Sequence, residues 1–181
     1  MATILVGWSA PNTNWIKINT DGAARGHPGF AGVGFVCRDS DARTIIALAQ
    51  PLGITTALTA ETWAFLLASR TTTERQWPRI LFETDSENLM RLITTTTTPP
   101  WYIAEMIKEI KNRLRQIPQV VVQHNYREGN QAADGLANHA TDGSQTGNYS
   151  TKIWDQAISS FISHILFQDY VGTKYPRQAV N

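Results

Sequence analysis

The chain has 181 residues, of which 42% are hydrophobic and 17% are charged, so it is long enough to bury a sizeable core and short enough to form one domain. Its net charge of +1 excludes a strong overall attraction to a polyanion, so nucleic-acid binding would depend on local basic groups or bound cations. The lone Cys37 excludes an internal disulfide and a cysteine zinc site, and no apolar run approaches membrane-spanning length.

The same features predict the compartment. The N-terminus shows no basic segment followed by an apolar signal core, and a single cysteine fits a reducing environment. We therefore expect an intracellular, reducing location, in the nucleus or the cytoplasm.

The first elements predicted along the chain are three strands. Apolar and polar residues alternate within 15–23, and further strands are predicted over 31–38 and 44–51. The connections between them are short and rich in glycine, proline, aspartate and serine, which are typical of tight turns. We therefore expect an antiparallel meander, with Asp21 at the end of its first strand.

Helices and strands are predicted to alternate after the meander. They are a helix at about 59–72, a strand at 80–84, helices at about 86–93 and 103–116, a strand at 119–126 and a helix at 131–141. Thr59 is an acceptable N-cap for the first helix. The order βββαβααβα predicts an α/β fold with a mixed five-stranded sheet flanked by helices.

Two segments are predicted to flank a domain over residues 15–141. Residues 1–14 form an N-terminal extension, and residues 142–181 form a linker, an amphipathic helix and a tail. The apolar residues of that helix follow a helical repeat: Ile153, Trp154, Ala157, Ile158, Phe161, Ile162, Ile165 and Leu166. We expect the helix to pack on the domain, and docking on a protein partner or a second copy is the alternative.

Four carboxylates stand where two strand ends and two helices could converge: Asp21, Glu61, Asp85 and Asp134. Carboxylates are the hard oxygen ligands that Mg²⁺ prefers. Two divalent ions about 4 Å apart can activate a water and neutralise charge during phosphodiester hydrolysis. The set therefore predicts a metal-dependent nuclease.

Each acid also has a structural interpretation. Asp85 could cap the helix that follows it, Glu61 could complement the dipole of its helix, and Asp21 could be a turn residue. Asp134 is harder to explain in this way, because it lies in a polar row beside the apolar stripe of its helix.

Four motifs carry a resemblance to a known family. They are Asn19-Thr-Asp-Gly22, Ala60-Glu61, Glu83-Thr-Asp-Ser86, and His124-Asn-Tyr-Arg-Glu-Gly-Asn-Gln-Ala-Ala-Asp134-Gly-Leu-Ala137. In this order the motifs resemble the type 1 ribonuclease H family, in particular its plant, reverse-transcriptase-like branch. The resemblance implies a ribonuclease H fold and an endonuclease that hydrolyses the RNA strand of RNA/DNA hybrids by two-metal-ion catalysis.

The resemblance also implies a role for each matching residue. Asp21 would bridge two Mg²⁺ ions, for which Mn²⁺ could substitute. Glu61 and Asp85 would complete the site of the ion that activates water, and Asp134 would hold the ion that stabilises the leaving 3′ oxygen. His124 stands where the family has a mobile histidine that assists proton transfer or product release. A structural histidine at a strand end is the alternative.

Substrate recognition is predicted from the same motifs. A hybrid-specific enzyme must sense ribose 2′-hydroxyls, and we expect Gly22, Ala23 and Asn130 to contact the substrate. Glycines at 26, 29, 32 and 34 are expected to allow tight turns and the close approach of a nucleic-acid backbone. The connection at 94–100 carries no basic protrusion, which favours the alternative function, a retroelement-derived, catalytically weak domain that binds nucleic acid or protein.

Overall fold

The central sheet has six strands, one more than predicted. The computed structural model describes residues 2–157 and 160–179. The strands are β1 (Thr3–Val6), β2 (Ile16–Gly26), β3 (Gly29–Arg38), β4 (Thr44–Thr55), β5 (Arg79–Thr84), β6 (Gln119–His124), β7 (Lys152–Asp155) and β8 (Tyr175–Gln178). The helices are α1 (Ala57–Glu74), α2 (Glu87–Thr94), α3 (Ala104–Leu114), α4 (Gln131–Thr146) and α5 (Ser163–Tyr170), with short 3-10 turns at Trp101–Ile103, Arg127–Gly129 and Ser160–Ile162.

The sheet order confirms the predicted mixed topology. The strands run β6-β5-β2-β3-β4-β7, and β1 pairs separately with β8. β2, β3 and β4 form the predicted antiparallel meander, whereas β5 lies parallel to both β2 and β6. β5 and β6 end at the same level, where Thr84 pairs with His124. Thr84 also pairs with Thr20, so the residue after β5 lies beside the middle of β2.

The segment predicted to begin the C-terminal helix at Ile153 forms the sixth strand of the sheet instead. Ile153 and Trp154 lie in β7, where they pair with Leu48 and Ala47 of β4. A short apolar segment does not distinguish helix from strand by its period alone, and the edge of β4 offers unpaired backbone groups.

The predicted linker is also shorter than expected. α4 continues to Thr146 and ends at Gly147, whose φ of 77° is the left-handed conformation that terminates helices. Ile162 and Leu166 are buried with Leu136, so the C-terminal helix packs on the domain. Ile158, which was predicted to join that apolar face, lies outside the described residues.

Two apolar clusters lie on opposite faces of the sheet. One contains Phe35, Phe65, Phe82 and Ile107 beneath α1 and α3. The other contains Val36 and small residues of β4 beneath α4 and α5. None of the described helices is both long and apolar enough to cross a membrane.

Glycines of β3 make room for α4. A Cβ added at Gly34 would lie 2.5 Å from the Cβ of Leu136, and one at Gly32 would lie 2.5 Å from the backbone nitrogen of Thr141. The prediction that these two glycines admit a nucleic-acid backbone is therefore wrong. They allow α4 to lie directly on the sheet, which fixes the position of Asp134.

Candidate active site

Asp21 lies within β2, because the strand continues to Gly26 and does not end at Asp21 as predicted. The side chain of Asp21 is only 7% exposed, and its Oδ1 accepts a hydrogen bond from the backbone nitrogen of Gly22 at 2.8 Å. Gly22 touches α1: an added Cβ would lie 2.2 Å from the carbonyl carbon of Ala60 and from the nitrogen of Glu61. This contact places Glu61 next to Asp21.

Neither Asp85 nor Glu61 has the structural role that was considered for it, a helix cap for Asp85 and a dipole partner for Glu61. The Oγ of Ser86 donates to Glu61 Oε2 at 2.6 Å and accepts from the nitrogen of Leu89 at 3.3 Å, so Ser86, and not Asp85, caps α2. α1 begins at Ala57 after the N-cap Thr56, and its first turn contains no acid. Glu61 therefore lies beyond the turn where it would complement the helix dipole, and the predicted cap at Thr59 is wrong.

Asn130 positions the residues around Asp85. It is fully buried, donates to the carbonyl of Thr20 at 3.0 Å and to Asp85 Oδ1 at 3.4 Å, and accepts from Asn19 at 3.2 Å. These bonds use both hydrogens of the Asn130 amide group. A contact between Asn130 and substrate stays a prediction.

The two other predicted substrate contacts differ in exposure. Gly22 is buried against α1, and its backbone N–H is already bonded to Asp21, which argues against a direct contact with substrate. Ala23 is half-buried, and its contact with substrate stays a prediction.

Asp134 and His124 complete the group of predicted residues. Asp134 lies in the first turn of α4, and its Oδ1 is 3.5 Å from Nη2 of the exposed Arg127. Nε2 of His124 lies 3.2 Å from the backbone carbonyl oxygen of Asp85, and the imidazole meets the ring of Tyr126 edge-on at 5.5 Å.

The four acids lie near enough to one another for their charges to interact. Burial raises the pKa of Asp21 well above its ordinary value, and the charges of Asp85, Asp134 and Glu61 raise it further, as does hydrogen bonding to Asp134. Burial also raises the pKa values of Glu61 and Asp85. Asp21 is therefore the acid on which the other three converge.

Two observations bear on whether these residues suit divalent cations. Among residues 2–157 and 160–179, no three histidine, cysteine, aspartate or glutamate side chains stand close enough together to hold a metal ion as arranged. Protein groups instead hold the acids, including Ser86 on Glu61 and Asn130 on Asp85. The donor chemistry nevertheless fits, because hard oxygens that repel one another are what a cation would bind and relieve. Charges act on one another over longer distances than a metal–ligand bond spans. The other three acids therefore raise the pKa of Asp21 although they are spaced more widely than metal ligands.

A buried ion pair next to the site was missed in the sequence. Lys17 Nζ lies 2.7 Å from Glu83 Oε1, and both side chains are buried. Glu83 also accepts hydrogen bonds from Asn19 at 3.0 Å, Gln123 at 2.7 Å and Asn125 at 2.9 Å. From the alternation of Lys17 with Ile16 and Ile18, only a polar residue on one face of a strand could be predicted. Its partner Glu83 lies on another strand, so the ion pair could not.

The sheet order and the acids on β2, α1, α4 and the end of β5 define a ribonuclease H-like domain. The chain belongs to the reverse-transcriptase-like family, whose sequence model matches residues 19–140. The predicted ribonuclease H family and α/β fold are confirmed.

Individual relatives agree with this assignment. An Arabidopsis thaliana protein named "Putative ribonuclease H protein" is 33% identical over 174 residues, which are 96% of this chain but only 27% of that protein. Ribonuclease H1 of Halobacterium salinarum is 26% identical, with a TM-score of 0.66 over 71% of this chain and 98% of its own. LC11 ribonuclease H1, isolated from compost, is 30% identical with a TM-score of 0.68 over 74% and 99%. A structure of LC11 ribonuclease H1 in complex with an RNA/DNA hybrid gives a TM-score of 0.64 at 30% identity, over 72% and 99%.

Proposed function

We propose that this chain is a metal-dependent endonuclease that hydrolyses the RNA strand of RNA/DNA hybrids. The observation that carries the proposal is the placement of Glu61 and Asp85 beside the buried Asp21. The contact of Gly22 with α1 brings Glu61 there, and the β2–β5 register brings Asp85. The charge of Asp134 also acts on Asp21. The hybrid-bound structure of the similar LC11 ribonuclease H1 supports the substrate class.

Four residues would hold the cations. Asp21, Glu61, Asp85 and Asp134 would bind two ions, Mg²⁺ or Mn²⁺, and Asp21 has the central place that a shared ligand requires. Bound there, the ions would supply an activated water and neutralise charge on the phosphate. The products would carry 5′-phosphate and 3′-hydroxyl ends.

The chain's own groups orient these acids and can move a proton. Ser86 fixes one oxygen of Glu61, the Gly22 N–H fixes Asp21, and Asn130 holds Asp85. Because the Asp85 carbonyl can only accept, we assign the hydrogen in their contact to Nε2 of His124, and Nδ1 is then the ring nitrogen that carries a lone pair. We assign His124 to proton transfer or product release.

A binding module without strong catalysis is the second candidate. The described acids are not spaced as metal ligands, and the connection between α2 and α3 carries no basic group. Both features would fit a domain that keeps the fold to bind nucleic acid or protein.

Cleavage of a labelled hybrid tests the proposal. The purified protein is incubated in Mg²⁺ and in Mn²⁺ with an RNA/DNA hybrid, and with single-stranded RNA, double-stranded RNA and double-stranded DNA, beside the isosteric Asp85→Asn variant. We expect cleavage of only the RNA in the hybrid, and its loss in Asp85→Asn. A folded protein that binds the hybrid but cuts nothing in either metal would reject the nuclease and favour the binding module.

A further inference from the structure

The C-terminal strand β8 reaches the candidate active site, although it lies outside the residues that the family model matches. β8 pairs with β1, where Arg177 stands opposite Ile4. Nζ of the preceding Lys174 donates to the carbonyl of Trp8 at 2.7 Å, and the Trp8 side chain is buried in the domain. The C-terminal segment is thus fixed to the domain at several points.

Arg177 holds the loop between His124 and Asn130. Its Nη1 lies 3.0 Å from both carboxylate oxygens of Glu128, and its Cζ lies 4.4 Å from the centre of the Tyr126 ring. Tyr126 in turn contacts His124. The guanidinium is therefore kept in one place next to the predicted catalytic histidine.

The same guanidinium lines a cavity at the active site. This cavity has a volume of about 560 Å³, and its walls are Asp85, Glu87, His124, Tyr126, Arg127 and Arg177. The hydrogen bonds of Arg177 to described residues use only Nη1, so these residues leave the edge formed by Nε and Nη2 for a ligand.

We propose that Arg177 binds a backbone phosphate of the nucleic-acid substrate beside Asp85, an assignment that rests on the proposed function. A planar guanidinium donates two parallel hydrogen bonds to a phosphate, which gives orientation as well as attraction. Such a contact would add to the attraction for a phosphate next to the acids, in a chain whose net charge is only +1. The C-terminal strand thereby supplies a substrate-binding residue from outside the residues that the family model matches.

Equilibrium binding of the hybrid at several salt concentrations tests this contact. All proteins carry Asp85→Asn to prevent cleavage, and Arg177→Ala and Arg177→Lys are compared with Arg43→Ala. Arg43 is the matched control because it is an exposed arginine in the turn between β3 and β4. This turn follows Arg38, which pairs with Lys17 near the start of β2. Glu128→Gln removes the ion pair but keeps Arg177.

We expect Arg177→Ala to weaken hybrid binding about tenfold and to lower the slope of log affinity against log salt by about one. Arg177→Lys should keep the slope and lose part of the affinity, whereas Arg43→Ala and Glu128→Gln should keep the slope. An unchanged slope in folded Arg177→Ala would overturn the contact and leave Arg177 a positioning residue. If Arg177→Ala does not fold, Arg177→Lys takes its place in the test. Full wild-type affinity in Arg177→Lys would then overturn the proposed phosphate contact. Failure of the parent protein to bind hybrid would reject the proposed function and this contact together.

Discussion

Gly22 is the residue on which the distance between Asp21 and Glu61 depends. In Gly22→Ala the new methyl group would lie 2.2 Å from backbone atoms of α1, which cannot rotate away. We expect α1 to shift from β2, hybrid cleavage to fall at least tenfold, and the free energy of unfolding to drop by about 1–3 kcal/mol. Cleavage rates and chemical denaturation measure the two effects.

Gly135→Ala is the matched control for that substitution. Its added Cβ would meet side-chain atoms of Ile162 and Ile165, at 2.8 and 3.6 Å, instead of the backbone of another element. Alanine also favours the helical conformation over glycine. Wild-type stability in Gly22→Ala would contradict the account of the β2–α1 contact.

Asp21 should lower the stability of the metal-free protein at neutral pH. Its folded pKa is raised by burial and then by Asp85, Asp134 and Glu61, so any stabilisation is present below the ordinary value of 3.8 and is lost as pH rises through the folded pKa. The Asp21→Asn variant has a neutral side chain at this position and does not lose stability in this way as pH rises. We expect its melting temperature in chelator at pH 7 to exceed that of the wild type, by about 2–4 °C for each kcal/mol gained.

Bound Mg²⁺ should reduce the difference in melting temperature between the wild type and Asp21→Asn. Saturating Mg²⁺ stabilises only a protein that binds it, so the wild type should gain melting temperature while Asp21→Asn gains little. A wild type that melts at the same temperature in Mg²⁺ and in chelator would contradict the cation site.

Residue types and their order were enough to find the acids, because hydrolytic chemistry needs hard ligands and the four motifs occur in sequence. The contacts that hold them were not predictable. Ser86 reaches Glu61 across 25 positions of the chain, and Asn130 reaches Asp85 across 45. Such pairs depend on how the elements pack, which a single sequence does not specify.

At the scale of elements, Glu109 joins α3 to α1. It accepts from Arg70 Nε at 2.9 Å and Nη2 at 2.8 Å, and from Arg113 at 2.8 Å. These bonds, from Arg70 first and Arg113 second, lower the pKa of Glu109 to about 2. The stabilisation is therefore complete above the ordinary value of 4.5 and disappears as pH falls towards 2.

Glu109→Gln should consequently be less stable than the wild type by about 0.5–1 kcal/mol at pH 7, a modest loss because the group is one-third exposed. The difference should vanish near pH 2. Glu105→Gln is the control, since its contact with Lys108 is long and exposed. Urea denaturation across pH would refute the account if both variants behaved alike.

Long periodic elements were the most predictable. The meander, the apolar strand β5 and the core helices follow from alternation and helical spacing. β7 was mistaken for a helix because its four residues are too few to show a period, and its place is decided by the free edge of β4.

At the scale of the whole molecule, one buried ion pair ties the chain ends to the sheet. Arg38 Nη1 lies 2.6 Å from Oδ2 of Asp169 on α5, both side chains are buried, and the guanidinium stacks on Trp8 at 3.8 Å. Another Arg38 nitrogen donates to Asn19, next to the candidate site. The N-terminal and C-terminal segments therefore pack on the same point of the domain, and the predicted division at residues 15 and 141 stays a prediction.

Asp169→Ala should cost about 3–5 kcal/mol, because it leaves the Arg38 charge buried without its partner. Replacing the pair with apolar groups, as Arg38→Met with Asp169→Leu, should restore much of the loss. Thermal unfolding compares the three proteins. A loss below about 1 kcal/mol in Asp169→Ala would show that α5 contributes little to the stability of the domain.

The four acids are proposed to cleave nucleic acid at ribonucleotides. The most direct measurement uses a DNA duplex in which one labelled strand carries a short run of ribonucleotides, and maps the cut positions for the wild type and Asp85→Asn in Mg²⁺. We expect cuts only within that run, with 5′-phosphate and 3′-hydroxyl ends, and none by Asp85→Asn. Cuts in the flanking DNA, equal cleavage by Asp85→Asn, or no cleavage by a folded wild type would contradict the proposal.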